Sequence, residues 1–362
     1  MMKKLLIAAA ALLLIAGTIQ PVQARDKAEF ELNFNLPIPP NHTRWQKALK
    51  GWCEEIETRS NGRIKIYPYF SEALSRQAEA FESVQSGVAD LTESTFNSGN
   101  GAFPAHEAMF TLLKPSRALE NPSAFMNALH EAFPQMKDEL KGTKLLFMHA
   151  HPVALMIGVN KPVKSFAELN GRKISALGTA VMTKKLVSMG FSPTQLMSSE
   201  EFMAMQQGVV DGNMIEFDQL ISRRYGEVVK QMVLINLGTT AFFCVMNQDV
   251  YDSMPADLRE VIDSVSGEYA EKMMEEFWNN QEFESLDKWI REYGGSLYML
   301  TDEEYAEVDK AMESARDIWM ESLRDAGYDA DRFLKVIRDL EEEYNKDWKD
   351  YRTAPFVEKQ RG

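Results

Sequence analysis

The sequence predicts a two-lobed α/β protein in which a long helix spans both lobes and further helices form the C-terminal part. Strand, helix and strand patterns alternate in two separate runs, which is typical of mostly parallel sheets covered by helices. The chain has 362 residues, too many for one ordinary hydrophobic core. Apolar residues also recur at helical spacing after Pro255, over a stretch longer than one lobe is wide.

The first run of alternating elements predicts lobe I. Apolar residues alternate in its strands and recur every three to four positions in its helices. We assign residues 25–150 to this lobe and expect residues 241–275 to return to it. The strands and helices predicted here lie at 30–36, 45–56, 64–67, 76–85 and 89–94.

A second run of alternating elements predicts lobe II, which we assign to residues 151–240. The strands predicted in and beside this run lie at 145–148, 154–159, 173–175, 209–215 and 241–245. Neither run contains a flexible linker. Two lobes joined in this way suit a cleft that closes by a hinge motion.

The segment after the second run is predicted to be helical. Residues 255–293 have apolar side chains at helical spacing, and a helix of that length must cross from one lobe to the other. Thr301 and Glu304 form a capping-box pattern that opens another helix. Residues 300–362 are therefore predicted to form a C-terminal helical segment.

The first 24 residues have the three-part layout of a secretory signal peptide. A start with Lys3 and Lys4 precedes an apolar stretch at 5–17, and small residues end at Ala24. We expect cleavage near Ala24 and export to the periplasm. The formal net charge of −14 excludes nucleic acid as a favourable partner.

The two cysteines, Cys53 and Cys244, have two interpretations. Cys53 lies on the apolar face of a predicted helix and Cys244 lies within a predicted apolar strand. Both can be buried as separate thiols, or an oxidising compartment can join them in a disulfide. Zinc-type spacings of cysteine and histidine are absent from the sequence.

Five stretches of the chain form an ordered set of motifs: 60–66, 81–91, 160–174, 207–212 and 251–258. Together they resemble the solute-binding subunits of tripartite ATP-independent periplasmic (TRAP) transporters, and the resemblance covers about residues 28–350. It implies a two-lobed periplasmic binding protein fold, type II-like, with a pocket for a small organic solute in the cleft. It also implies TRAP membrane permease subunits as partners and no cofactor.

Three positions depart from the pattern of this family. Ser175 and Ala154 stand where the resemblance implies arginines that hold a ligand carboxylate, and Ile215 stands where an asparagine is usual. Serine cannot reproduce the two-bond fork of arginine. A simple C4-dicarboxylate is therefore a poor match to this cleft.

Two classes of solute remain open from the sequence. A neutral or cationic solute would meet the carboxylate of Glu216, with Phe217, Phe242 or Trp45 facing its apolar or cationic part. An anionic solute would instead be held by backbone N–H groups at the helix start near Thr179.

Further candidate ligand-binding residues are chosen by position. His149 and His151 lie where the chain should cross between the lobes. Solutes bind near the carboxyl ends of strands in such folds. The candidates that this rule adds in lobe I are Asn35, His42, Glu93, Ser94 and Thr95.

Two other functions compete with a TRAP-type receptor. Nucleophile elbows, phosphate loops and zinc-protease motifs are absent from the sequence, so we expect no catalysis. A metal-dependent periplasmic enzyme would use His149, His151 and Glu216. The other alternative is the binding protein of an ATP-driven importer.

Overall fold

A computed structural model describes residues 28–99, 101–176, 180–196 and 198–361. The expected signal peptide and Thr179 lie outside these residues. The described strands are β1 (Phe30–Leu36), β2 (Ile64–Phe70), β3 (Leu91–Thr95), β4 (Arg117–Leu119), β5 (Thr143–Ala150), β6 (Met156–Val159), β7 (Lys173–Ser175), β8 (Ser192–Thr194), β9 (Gly212–Ile215), β10 (Gln231–Leu234), β11 (Ala241–Asn247), β12 (Ser296–Met299) and β13 (Asn345–Asp347).

Helices pack around the two main sheets. They include two long helices, one before and one after β12. The described α-helices are α1 (Lys50–Arg59), α2 (Ala80–Gln85), α3 (Pro104–Thr111), α4 (Pro122–Ala132), α5 (Ala180–Ser188), α6 (Ser198–Gln206), α7 (Asp218–Ser222), α8 (Gln248–Ser253), α9 (Ala256–Ser264), α10 (Glu268–Tyr293), α11 (Asp302–Asp325), α12 (Ala330–Tyr344) and α13 (Ala354–Arg361).

Lobe I is built on a five-stranded sheet with the order β2-β1-β3-β11-β5. β1 runs parallel to β2 and β3, whereas β11 runs antiparallel to both β3 and β5. Because β11 comes late in the chain, it brings a strand from beyond lobe II back into the first sheet. Buried apolar side chains fill both faces of this sheet.

Lobe II is built on a six-stranded sheet with the order β12-β10-β6-β9-β7-β8. β6 runs antiparallel to β10 and β9, while β7 runs parallel to β9 and β8. One apolar core packs against this sheet and includes Trp289 from α10 and Trp348 from the C-terminal part. The mixed α/β architecture with two lobes agrees with the fold class that the sequence predicts.

Two extended segments cross between the lobes side by side. The first crossover (150–155) leaves β5, and the second crossover (235–240) leads into β11. The His151 N–H donates to the Thr240 carbonyl at 3.3 Å, and the Leu155 N–H donates to the Gly238 carbonyl at 2.8 Å. The crossovers are therefore hydrogen-bonded to one another.

The predicted single helix over 255–293 is wrong, because the structure breaks it into α9 and α10. Gly267 has a φ of 54°, in the left-handed region that favours glycine. Its N–H donates to the Leu146 carbonyl of β5 at 2.7 Å instead of continuing the helical ladder. α10 keeps 26 residues, about 39 Å at 1.5 Å per residue. It connects lobe I to β12 of lobe II.

A second brace comes from α11, which the sequence places in the C-terminal segment without a link to either lobe. Tyr305 and Met312 in its first half pack in the core of lobe II. Trp319 and Leu323 in its second half pack in a core of lobe I. The capping box of Thr301 is present at its start, as the sequence predicts.

The C-terminal segment contacts β4 and the first crossover. β13 pairs antiparallel with β4. The Tyr351 hydroxyl lies 2.9 Å from the Leu119 carbonyl oxygen and 2.5 Å from that of Pro152. Among the described residues, each helix is too short or too polar to cross a membrane. Cys53 and Cys244 are both buried free thiols.

Candidate functional site

Strand alternation separates the candidates that sequence reasoning groups at the end of β3. Successive side chains point to opposite faces of a strand. Glu93 pairs in register with Cys244, and Ser94 pairs with Phe243. Cys244 and Phe243 belong to cores on opposite faces of the sheet. Glu93 therefore faces away from Ser94.

Asn35 lies on the same face as Ser94 rather than beside Glu93. Its amide donates to Ser75 at 2.9 Å and to Thr92 at 3.3 Å. Asn35 and Ser94 are fully or almost fully buried. The structure does not bring this pair together with the other candidates.

The lobe I charge cluster consists of Arg44, Glu93 and His149. The Arg44 guanidinium lies 3.0 Å from one carboxylate oxygen of Glu93. Nε2 of His149 lies 3.0 Å from the other. The indole N–H of Trp278 donates to Nδ1 of His149 at 3.0 Å. Because indole can only donate, Nδ1 accepts and Nε2–H donates to Glu93.

Burial and neighbouring charges set the protonation of this cluster. Burial lowers the pKa of His149 to about 4, so the ring is neutral at pH 7. Burial raises the pKa of Glu93, but the guanidinium of Arg44 and the hydrogen bond from His149 outweigh it. The pKa of Glu93 is held below its ordinary value. The cluster thus contains one positive and one negative charge.

Aromatic rings join the lobe I charge cluster to the first crossover. Phe242 stacks on His149 with 4.5 Å between ring centroids. The Arg44 guanidinium carbon lies 4.5 Å from the Phe242 ring centroid, in cation–π contact. His151 packs against Trp278 with ring centroids 3.8 Å apart. Both predicted histidines and Phe242 therefore belong to one site.

Three further carboxylates lie beside the first and second crossovers. We call Glu216, Asp218 and Glu282 the crossover carboxylates. Nδ1 of His151 lies 2.6 Å from Oε1 of Glu282. Oε2 of Glu282 accepts the backbone N–H of Asp218 at 3.0 Å. α10 thereby contacts both the crossover and the start of α7.

Glu216 reaches the second crossover. Its Oε2 accepts from the Gln219 amide at 2.7 Å, and its Oε1 accepts from the Thr240 hydroxyl at 3.3 Å. Burial raises the pKa of Glu216 to about 7. Burial and the nearby charge of Asp218 raise the pKa of Glu282 well above its ordinary value. Burial lowers the pKa of His151.

The metal-ligand set suggested by the sequence is not assembled. His149 is engaged by Glu93 and Trp278. Among the described residues, a different set comes close together: His151, Asp218 and Glu282 each place one donor atom within 4.8 Å of the other two. The metal-dependent enzyme built on His149, His151 and Glu216 therefore lacks its geometry.

Several other candidates lie apart from this site. Phe217 is fully buried in the core of lobe II, and its ring contacts Phe283. Ser175 donates to Glu201 at 2.7 Å, in the interior of lobe II. Thr95 is the exception, because it pairs in register with Phe242 across β3 and β11, and its hydroxyl lies 2.6 Å from the Ser98 hydroxyl.

His42 lies beside Arg44, and Ala154 lies in the first crossover. Nδ1 of His42 accepts the backbone N–H of Arg44 at 3.1 Å. Burial and the charge of Arg44 lower the pKa of His42 to about 4. Ala154 is fully buried in the first crossover. The Thr179 helix start lies outside the described residues.

Sequence reasoning missed four members of the site: Arg44, Asp218, Trp278 and Glu282. Trp278, Glu282 and Leu286 are spaced four residues apart, so a carboxylate interrupts an apolar stripe. That interruption was a usable signal of a buried functional acid. Arg44 and Asp218 had no comparable signal, because single charges beside turns are common.

A cavity of about 750 Å³ lies elsewhere, between the start of α11 and the C-terminal segment. Lys114, Thr301, Tyr305 and Trp348 are among its lining residues. The site residues described above do not line it. We place the candidate solute site at the crossovers, because the buried polar groups converge there.

One sequence family matches most of the chain. Its model, described as bacterial extracellular solute-binding protein, family 7, matches residues 37–322. A solute-binding protein from Verminephrobacter eiseniae is 27% identical over 227 residues, which span 60% of this chain and 65% of that protein. The chain thus aligns with slightly less than two thirds of that relative's length.

Two solved structures extend the comparison. A TRAP periplasmic solute binding protein from Desulfovibrio salexigens has a TM-score of 0.78 at 23% identity, over 88% of this chain and 97% of that one. A marine metagenome TRAP solute binding protein specific for aromatic acid ligands has a TM-score of 0.76 at 26% identity, over 88% of this chain and 100% of that one. The chain belongs to the bacterial extracellular solute-binding proteins of family 7, the TRAP solute-binding proteins.

Proposed function

We propose that this protein is the periplasmic receptor of a TRAP-type transporter, which captures a small organic solute and delivers it to the membrane permease. Its signal peptide is removed near Ala24 on export. The receptor performs no catalysis. The convergence of both crossovers and α10 on one set of buried polar side chains supports this function, because lobe closure then acts directly on the bound solute.

The solute is neutral or cationic and donates hydrogen bonds. Glu216 is the observation that carries this assignment. Its carboxylate is buried against the second crossover, and its pKa is raised to about 7 by burial. An ammonium or hydroxyl donor would stabilise the ionised form, and hydrogen bonds to charged groups contribute about 1.5–3 kcal/mol.

A simple C4-dicarboxylate does not suit this cleft. Ser175 is fully buried and donates to Glu201, so it offers no free group to a ligand carboxylate. Ala154 is fully buried and has no polar side chain. A second ligand carboxylate would also lie near the crossover carboxylates, where like charges repel.

A second candidate is an aromatic acid, and Arg44 favours it. Nε of Arg44 is buried and has no hydrogen-bond partner among the described residues. The guanidinium also faces the ring of Phe242. The marine metagenome structure contains metahydroxyphenylacetate. The ion pair of Arg44 with Glu93 counts against this candidate, because it already neutralises the guanidinium.

A thermal-shift screen of the mature protein separates these solute classes. We expect stabilisation by neutral or cationic solutes that bear amine or hydroxyl groups, and none by the dianions succinate and malate. A ligand at about 100 times its Kd adds about 2.7 kcal/mol to the free energy of unfolding. Stabilisation by hydroxybenzoates alone would favour the aromatic acid instead. Tight binding of succinate would contradict the proposed class.

Calorimetry with the best solute then tests Glu216. The Glu216→Gln variant should bind it about tenfold to a hundredfold more weakly. Glu107→Gln is the matched control, because Glu107 is also buried, its pKa is also raised to about 7, and it lies in α3 away from the site. Equal affinity of wild type and Glu216→Gln would remove Glu216 from the site.

A further inference from the structure

The buried donor atoms at the first crossover form a candidate site for a metal ion. His151 lies on that crossover, Asp218 begins α7 and Glu282 lies in α10. One donor atom of each lies within 4.8 Å of the other two. All three side chains are buried. We infer that these residues bind one divalent transition-metal ion of the zinc or manganese type.

The donor set matches that chemistry. An imidazole nitrogen suits zinc and related ions, and carboxylate oxygens suit manganese and zinc. Metal–ligand bonds of about 2.0–2.2 Å place neighbouring donor atoms about 3–3.5 Å apart. The three donor atoms already lie within 4.8 Å of one another, so we expect side-chain rotations to bring them to that distance. Three protein ligands leave further coordination positions for water.

A second observation, separate from the proximity of the three residues, is that one carboxylate oxygen of Asp218 is unpaired within the part of the chain that the structure describes. Oδ1 of Asp218 is buried and has no hydrogen-bond partner among the described residues. The other carboxylate oxygen accepts from the Ser222 hydroxyl at 3.1 Å. The side chain is only 8% exposed. A buried acceptor without a partner is costly, and a metal bond would satisfy it.

The balance of buried charge also favours a cation here. Arg44 is already paired with Glu93 in the lobe I charge cluster. The crossover carboxylates thus lie together without a described guanidinium or ammonium in contact with them. A divalent ion would stabilise the ionised forms of both Asp218 and Glu282. Glu216 then remains for the solute, so the metal site and the solute assignment are compatible.

The position of the three ligands gives the ion a mechanical role. The first crossover and α10 both connect the lobes, and α7 belongs to lobe II. An ion bound by all three would tie the two connections to lobe II at one point. Metal binding should therefore stiffen the hinge without contacting the lobe I charge cluster.

Calorimetry on chelator-treated, untagged mature protein tests the site with ZnCl₂ or MnCl₂ alone. We expect one ion per chain. Asp218→Asn and Glu282→Gln keep the side-chain shape and should weaken binding at least about tenfold. Glu107→Gln removes a buried carboxylate in α3, away from the ligand set, and should stay within about threefold of the wild type. Equal affinity of Asp218→Asn and wild type would overturn the inference.

A nitrogen-15 spectrum of the wild-type histidines keeps the test decisive if the variants fail to fold. The chain has five histidines. Zinc should shift the ring nitrogens of His151 and leave those of His106 and His130 unchanged. No shift of His151 at saturating zinc would refute the site. Solute titrations in the presence of chelator are scored separately, so a failure of solute binding counts only against the proposed solute.

Discussion

The two sides of the candidate site treat buried charge in opposite ways. In the lobe I charge cluster, the Arg44 guanidinium and Nε2 of His149 both pair with the Glu93 carboxylate. The crossover carboxylates are held by backbone and neutral donors, including the Asp218 N–H and the Thr240 hydroxyl. Burial raises the pKa of a carboxylate in both places, and the partners decide whether the pKa finally lies above or below its ordinary value.

The lobe I charge cluster is therefore preformed, whereas the crossover carboxylates can respond to a ligand. A carboxylate paired with a guanidinium stays ionised, so the pKa of Glu93 is below its ordinary value. A buried carboxylate without such a partner holds its proton, so the pKa of Glu216 rises to about 7. Only the second kind changes its protonation readily when a cation or hydrogen-bond donor arrives.

Breaking the lobe I pair should have the largest effect on stability. Arg44→Met leaves the Glu93 carboxylate buried without its cation, which typically costs about 3–5 kcal/mol of the free energy of unfolding. Urea unfolding at pH 7 measures this loss. The Arg44→Met/Glu93→Gln double variant should recover most of it. A single variant within about 1 kcal/mol of wild type would show that the pair is not electrostatically coupled.

The pH dependence of Glu216 is the next largest effect. Its folded pKa of about 7 exceeds its ordinary value of 4.5. The folded protein therefore holds the extra proton between these values, and stability falls as pH rises through that window. Glu216→Gln lacks this titration. Its free energy of unfolding should gain on the wild type by about 3 kcal/mol between pH 4.5 and pH 7.

Glu93→Gln should change the pH dependence of stability in the opposite direction to Glu216→Gln. The folded pKa of Glu93 lies below its ordinary value. Its contribution to stability is therefore present above pH 4.5 and lost as pH falls through the folded pKa. Unfolding curves from pH 3 to pH 8 should show the two variants diverging from the wild type in different pH ranges. Parallel curves would mean that both carboxylates have similar surroundings.

Trp278→Phe should have the smallest effect of the set. The change keeps an aromatic ring between His149 and His151 but removes the indole N–H that Nδ1 of His149 accepts. A buried acceptor without a partner costs about 1–3 kcal/mol. We expect a loss near the lower end, measured by urea unfolding. An unchanged midpoint would indicate that His149 adopts its other tautomer.

The fold class could be predicted from the sequence, because the alternating and helical spacings of apolar residues extend over many positions. Alternating spacings predicted the five strands of the lobe I sheet, and in the lobe II sheet β6, β7 and β9 but not β8, β10 or β12. The break before α10 was missed, because the positive φ of Gly267 depends on a hydrogen bond to Leu146. Such a bond joins residues far apart in sequence and leaves no local pattern.

The site was harder to predict, since it depends on faces and partners. Glu93 and Ser94 are neighbours in sequence but lie on opposite sides of β3. His149 ends up in β5 and His151 in the first crossover, and the two rings pack against Trp278. Arg44 comes from another element, and nothing in its local sequence indicates a partner 49 positions away in Glu93.

The C-terminal segment has a consequence for how far the receptor can open. The Tyr351 hydroxyl contacts the carbonyl oxygens of Leu119, in β4, and Pro152, in the first crossover. We expect this contact to restrain the first crossover while the lobes move. A truncation before Tyr351 should therefore loosen the hinge without freeing the lobes, because α10 and α11 still join them.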